Sequence, residues 1–456
     1  MPDLLGVWAR LRDSLWFVPS LIVLAAVLLA IGMVELSALA PSEALARWPR
    51  LFGAGADGSR SMLSAIAGSM ITVAGVTFSI TMVAVTQASA QYTPRILRNF
   101  MRDRANQAVL GIFVGIFAYC LVVLRTIRGG DGPDFVPSLA VLVGILLALL
   151  GIAVLIFFIH HIATALQASE IIARIARETC ATVDRLYPRE SGDVGPEAPA
   201  AEPWVAPGAW RPVSAGATGY IMRADTRRLV GLADRRGLLI RLERTAGDFV
   251  IAGQPVAWFA QDPADPGSAA ARPPEETAKA LVREYAVGPY RTLDHDVGFG
   301  IRQLVDIALK ALSPGINDTT TAVTCVDYLG AVLVRLANRR IDRSHRGEEG
   351  RPRVTVPGPT FESLLALAMD EIRQHVRGNV SVLGRQLRVL GLTAGVARSS
   401  VRRRSIARQV ELLREAVATT VSAEHDRDGL EALAAGALAR ATGPRDPTAD
   451  PDVPWP

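Results

Sequence analysis

Cysteine is scarce in this 456-residue sequence, and Cys120, Cys180 and Cys325 show no pairing pattern. With Cys120 inside an apolar run, neither a disulfide framework nor a zinc ligand set follows from them. Aromatic residues make up 6% of the chain and nowhere alternate with basic ones as a base-stacking groove requires, so nucleic acid is not an expected partner. Lysine is almost missing: the 49 basic residues are arginine nearly throughout, and the net charge of +5 is mild. There is no Walker motif, nucleophile elbow, dinucleotide fingerprint or zinc signature. An enzyme is therefore not the first expectation, and no cofactor or metal is called for.

What the chain does contain is long apolar runs in its first third. A helix needs about 20 mostly apolar residues to cross a hydrocarbon core of about 30 Å. Four segments meet that demand: Leu15 to Leu39, Ser61 to Pro94, Ala108 to Leu124 and Val136 to Ile159. The first follows Arg10 and Arg12 but is too long for a signal h-region, and reads as a retained span. The expected architecture is a membrane protein with an α-helical bundle of about four transmembrane helices. A mostly cytoplasmic α+β region follows it, with a small β module and a helical hairpin and bundle.

Charge sets the expected orientation, because Lys and Arg accumulate in short cytoplasmic loops. Arg95, Arg98, Arg102 and Arg104 join the second and third spans, and Arg174, Arg177 and Arg185 follow the fourth. Asp131 and Asp134 balance Arg125 and Arg128 between the third and fourth, and the loop with Glu43, Arg47, Arg50, Asp57 and Arg60 is only weakly basic. Both termini are thus expected in the cytoplasm of a bacterium, with the bundle in its inner membrane and the lipid bilayer as first partner.

In the second span, Ser61, Gly68, Thr72, Gly75, Ser79 and Thr86 recur at intervals that place them on one helical face. Small and hydroxylated residues on a stripe serve close helix packing, or line a path wet enough to want hydroxyls. Four helices do not easily enclose such a path alone, so the lining reading requires a homo-oligomer. Glu35 near the end of the first span and His160 and His161 at the end of the fourth read as interfacial residues. Adjacent histidines point about 100 degrees apart on a helix and do not readily share a metal.

Beyond the bundle, the helical pattern continues through Ile162, Leu166, Ile171, Ile175 and Leu186, reading as a stalk that completes a domain over 1–187. A Pro-rich linker is expected over 188–212, and a β module over 213–262 with strands at Tyr220 to Met222, Leu238 to Leu242 and Val256 to Phe259. Its stretch GDFVIAGQPVAWF resembles the tight turns of barrel-sandwich modules, but has no lysine where a carrier domain would be modified. A structural or assembly role is expected for it. Over 275–340, two apolar-faced helices read as a hairpin whose elbow is SPGIND, with Asn317 or Asp318 as the cap of the second helix. A helical bundle is expected over 360–442, with Arg402, Arg403, Arg404 and Arg408 as a basic helix start facing solvent or an acidic surface, and a disordered tail over 443–456.

Asp294, His295 and Asp296 lie together, but consecutive residues rarely converge on one site, so capping is the expected role. Arg291, Asp296, Arg302, Asp306, Ser313, Asn317 and Asp318 are candidates for a buried polar network at the elbow or a subunit contact.

The segment GFGIRQLVDIALKALSPGIND followed by TTTAV, together with ITVAGVTFSITMVAVTQASAQYTPRIL of the second span, resembles the bacterial predicted membrane proteins filed as domain of unknown function twenty-two fifty-four. The resemblance covers nearly the whole chain. Thr319 departs from the proline that pattern would carry. The resemblance implies four membrane helices plus a soluble region, and implies no activity. The functional expectation is a homo-oligomeric channel-like or ion-conducting protein with cytoplasmic assembly or gating domains. The alternative is a membrane-anchored scaffold or sensor that binds a cytoplasmic partner, and an enzyme of unknown chemistry comes third.

Overall fold

The computed structural model describes residues 16–39, 55–91, 104–128, 135–165, 167–188, 209–263, 273–341, 344–346 and 350–443. They form two compact units, Met1–Glu170 and Ile171–Pro456. The 188–212 linker and the 443–456 tail fall almost wholly outside the described residues, as do Arg10, Arg12, Glu43, Arg47, Arg50, Arg95, Arg98, Arg102, Asp131 and Asp134.

The first unit is helical: α1 (Phe17–Leu39), α2 (Ala56–Gln91), α3 (Arg104–Thr126) and α4 (Ser138–Ala165). Each is long and apolar enough to cross a membrane, and so, by length and composition, is Thr319–Leu336 in the second unit. Sparse burial on α1 and α4 fits a lipid solvent, because their large apolar side chains face outward while only a narrow set packs inward. The inward set mixes small residues such as Ala30 and Ala140 with Phe158 and Ile162, and glycines set the closest approaches. A Cβ at Gly111 of α3 would lie 2.9 Å from the Pro19 Cα of α1, and one at Gly115 would lie 3.4 Å from Ala26 Cβ, so this pair of glycines four apart lets α1 and α3 touch backbone to backbone. Tyr119 donates to the Ala140 carbonyl at 2.8 Å, tying α3 to α4.

The expected continuous stalk is corrected: α4 ends at Ala165 and a separate helix, α5 (Ala168–Leu186), follows. The Thr164 hydroxyl donates to the carbonyls of His160 and His161, a back-bonding that bends helices. α5 is amphipathic and buries Ile171, Ile172, Ile175, Ala176 and Val183 within the second unit.

The β region is larger than its sequence signal and not contiguous. It comprises β1 (Arg211–Ser214), β2 (Gly219–Ala224), α6 (Thr226–Arg236), β3 (Leu238–Leu242), β4 (Phe249–Val250), β5 (Pro255–Gln261), α7 (Pro274–Val282) and β6 (Tyr285–Gly288). Two later strands, β7 (Ser344–Arg346) and β8 (Pro352–Thr355), complete it. One sheet runs β1-β5-β3-β8-β7 and the other β4-β2-β6. β8 is parallel to β3, pairing Val354 with Ile240, and reaches the sheet only after a helical excursion. Arg353 of β8 holds it there, paired with Asp234 at 3.0 Å and Asp262 at 2.6 Å in a buried cluster.

The rest is helical: α8 (Val297–Ala311), α9 (Thr319–Leu336), α10 (Phe361–His375), α11 (Val380–Val396), α12 (Ser400–Thr420) and α13 (Glu424–Thr442). Phe361, Leu364, Leu365, Ala368 and Ile372 of α10 and Ile406, Val410 and Leu413 of α12 are buried in the core this bundle shares with the α8–α9 hairpin. The basic start of α12 is corrected in part. Arg402 is 1% exposed, donates to the Ala337 carbonyl at 2.9 Å and lies over the Phe361 ring. Arg403 donates to the Ala441 and Gly443 carbonyls, which leaves Arg404 and Arg408 exposed. Arg402 and Arg403 satisfy helix C-terminal carbonyls that have no partner within their own helix.

Candidate functional site

α2 has two faces of opposite use. Leu63, Ala67, Met70, Ala74, Thr77 and Ala84 are buried against the rest of the unit, and Gly144 and Gly151 of α4 make room for Leu63 and Met70. Ser61, Gly68, Thr72, Gly75, Ser79 and Thr86 are all exposed. Two residues along a helix is a turn of about 200 degrees, so the Ser61 stripe lies opposite the Leu63 stripe. A Cβ built on Gly68 or Gly75 meets nothing within 4 Å. The six candidates therefore do share a face, and that face packs on no other helix among the described residues.

Three of the four hydroxyls on the stripe donate within their own helix. Thr72 Oγ1 donates to the Gly68 carbonyl at 2.8 Å, Ser79 Oγ to Gly75 at 2.9 Å and Thr86 Oγ1 to Val83 at 2.9 Å. Bonded this way, the face tolerates a dry contact while keeping small residues four apart, the spacing by which membrane helices approach closely. Glu35 of α1 is exposed, and His161 stacks on Phe157 with ring centroids 5.6 Å apart.

The second set of candidates is split between the two ends of α8. At its N-terminus, Asp296 caps the helix by accepting from Phe299 N at 2.9 Å and accepts from Arg291 Nη2 at 2.7 Å. Gly247, with φ of 97°, lies so close that any Cβ there would overlap Asp296 Oδ2. The turn before β4 is thereby docked on the cap. Burial pushes the Asp296 carboxyl upward, opposed by the Arg291 guanidinium and the Phe299 amide. Mid-helix, Arg302 pairs with Asp306 at 2.6 Å and with Glu371 of α10.

At the other end, Ser313 donates to the Lys310 carbonyl, Asn317 adopts φ of 49°, and Asp318 caps α9 by accepting from Thr321 N at 3.0 Å. Asn317 and Asp318 are exposed. α8 has 15 residues, and at about 1.5 Å rise each its ends are roughly 22 Å apart, so the seven residues do not form one network. The expected buried elbow is corrected: an elbow of caps and turns faces solvent because caps need only backbone partners. Thr319 is the first residue of α9, where proline would also be accommodated, and its hydroxyl accepts from Asn379 Nδ2 at 2.8 Å.

Asp294 and His295 lie in a short 3-10 turn, where the Asp294 carbonyl accepts from Arg185 at 2.6 Å. Burial pushes the His295 imidazole below its usual range. Among the described residues, no group of three or more His, Cys, Asp or Glu is arranged to hold a metal.

Two determinants carried no local sequence signal. Asp184 of α5 receives Arg335 at 2.8 Å and also Arg339, which is 7% exposed. Partners so remote in sequence leave no spacing to read. Gly300 lets Thr179 of α5 press against α8, where a Cβ would overlap its hydroxyl. The glycine was visible in GFGIRQ, but its partner was not.

Comparison with known proteins agrees with this architecture. The uncharacterized proteins Rv1290c of Mycobacterium tuberculosis and Mb1321c of Mycobacterium bovis are each 33% identical over 436 residues, covering 95% of this chain and 81% of theirs. No solved structure matches. The model of the family described as Predicted membrane protein (DUF2254) matches residues 12–391, and the chain belongs to that family.

Proposed function

We propose that this chain acts as a homo-oligomer in the bacterial inner membrane, self-associating through the outward stripe of α2 to form a channel-like, ion-conducting assembly. The cytoplasmic unit organises and gates it. The observation that carries this reading is the face of Ser61, Gly68, Thr72, Gly75, Ser79 and Thr86: small, uncharged, exposed and opposite the packed face. Glycines that serve no contact among the described residues have an evident use in close approach to another chain.

Of the five helices long enough to span among the described residues, α9 is assigned to the soluble unit. It has the lowest hydropathy of the five, 1.2, and its Asp327 and Arg335 pair with Arg385 and Asp184. Four spans then leave both termini in the cytoplasm, on the side of the arginine-rich connections. The occupied hydroxyls favour a second reading, in which the stripe is a dry oligomer contact and the protein is a scaffold or sensor read through its cytoplasmic unit.

Cysteine trapping in isolated membranes tests the shared element. Cys120, Cys180 and Cys325 are buried, so Ser79→Cys supplies the accessible thiol. Oxidation is expected to yield a covalent dimer for Ser79→Cys and none for Met70→Cys on the packed face. Monomer alone from both variants would contradict self-association through α2.

A further inference from the structure

Between α6 and α7 lies a cleft of about 420 Å³ whose charged lining is Arg227, Arg228, Arg235 and Arg283 against the single carboxylate of Glu284. The two walls are fixed to each other. Arg236 Nη1 donates to Thr277 Oγ1 at 3.1 Å, and Asp225 N donates to the Glu284 carbonyl at 3.2 Å. α6 itself is anchored by Leu229 and Ala233, which are buried in the β core, so its arginines are presented on the face that turns away from the sheet. Gly231 lies on the floor, with Arg235 Nη1 3.2 Å from where its Cβ would stand.

The charge is cancelled only in part among the described residues. Arg228 is matched by Asp225 at 3.4 Å and Glu284 at 3.8 Å. Arg227 and Arg283 pair with no acid among the described residues and are exposed at the rim. Solvated arginines scattered on a helix are ordinary. Arg227 of α6 and Arg283, the residue that closes α7, flank one recess of ligand size and leave positive charge there for an anion to join. Guanidinium groups meet phosphate oxygens with two parallel donors each, and do so better than lysine would.

We propose that this cleft binds a phosphate-bearing anion, either a soluble phosphate ester or the headgroup of an acidic phospholipid. Neither the membrane stripe nor the proposed conduction enters this argument, and the test reads neither. The full-length protein in neutral detergent is titrated by calorimetry with ATP and, separately, with dihexanoyl phosphatidylglycerol. The same titrations are run on Arg227→Gln/Arg283→Gln and on Arg404→Gln/Arg408→Gln, which removes equal charge from the exposed side of α12. Saturable binding of one probe, weakened about tenfold or more in the cleft variant and unchanged in the α12 variant, is the expected result. Which probe binds identifies the soluble or the lipid source. Absence of saturable binding of both probes, or equal weakening in both variants, would overturn the site.

Discussion

The two glycine pairs of the membrane unit make opposite predictions for the same substitution. At Gly111 a new Cβ falls 2.9 Å from the Pro19 Cα and from Ile22 Cδ1, against an ordinary carbon contact of about 3.5–4.0 Å. Gly111→Leu therefore forces α1 and α3 apart by up to about 1 Å and carries the overpacking cost of about 1–3 kcal/mol. At Gly75 the same Cβ meets nothing within 4 Å, and replacing a helical glycine contributes up to about 1 kcal/mol of propensity, so the single chain is not weakened by Gly75→Leu. In an assembly built on the α2 stripe the leucine is overpacked instead, and about 1–3 kcal/mol corresponds to roughly 5- to 150-fold weaker association. Thermal melting followed by tryptophan fluorescence and mass by light scattering in detergent separate the two effects. Gly111→Leu should melt early. Gly75→Leu should melt no earlier than wild type and run at lower mass. Early melting of Gly75→Leu, or an unchanged oligomer mass, would refute the reasoning.

Removing Asp184 leaves Arg339 nearly buried without its carboxylate; with Asp184 itself partly exposed, Asp184→Ala should destabilise the second unit by about 2–3 kcal/mol. Chemical denaturation would show it, and Asp184→Asn should recover part of the loss. Asp318→Ala removes the α9 cap and should cost about 1 kcal/mol at neutral pH. Hydrogen bonds from Thr321 hold the Asp318 carboxyl below its ordinary value, so that contribution is present above the unfolded value of 3.8 and is lost as pH falls through the lower folded value. Comparing wild type with the variant across that acid range would detect the convergence. His295 has the opposite chemistry. Burial lowers its folded pKa beneath 6.5, so the unfolded chain binds the proton first and stability declines as pH drops below 6.5. His295→Gln should flatten that decline in melts between neutral and mildly acidic pH.

The membrane helices were legible because twenty apolar residues have one common explanation, and the α10 and α12 stripes because a 3.6-residue period survives any tertiary context. The α2 stripe was legible as a face, but its direction was not. Only the position of Leu63 and Met70 against α4 shows that the glycines at 68 and 75 look outward while those at 111 and 115 carry the chain's own packing. The β region was underread because β8 joins β3 from more than a hundred residues away, and because α6, with its TRRLVGLADRR sequence, carries five charged residues that hide a short buried edge of Leu229 and Ala233. Caps at Asp296 and Asp318 follow from local chemistry. Their placement at opposite ends of α8 follows from the fold, as does the burial of Arg402, which a run of arginines gives no reason to expect.

Conductance across a planar bilayer holding the purified, intact oligomer tests the proposed function most directly, with wild type measured beside Thr72→Leu and Ser79→Leu. Discrete currents in wild type that are altered by both substitutions are the predicted result. A silent wild type, or currents indifferent to both substitutions, would contradict a conducting path formed at the α2 stripe.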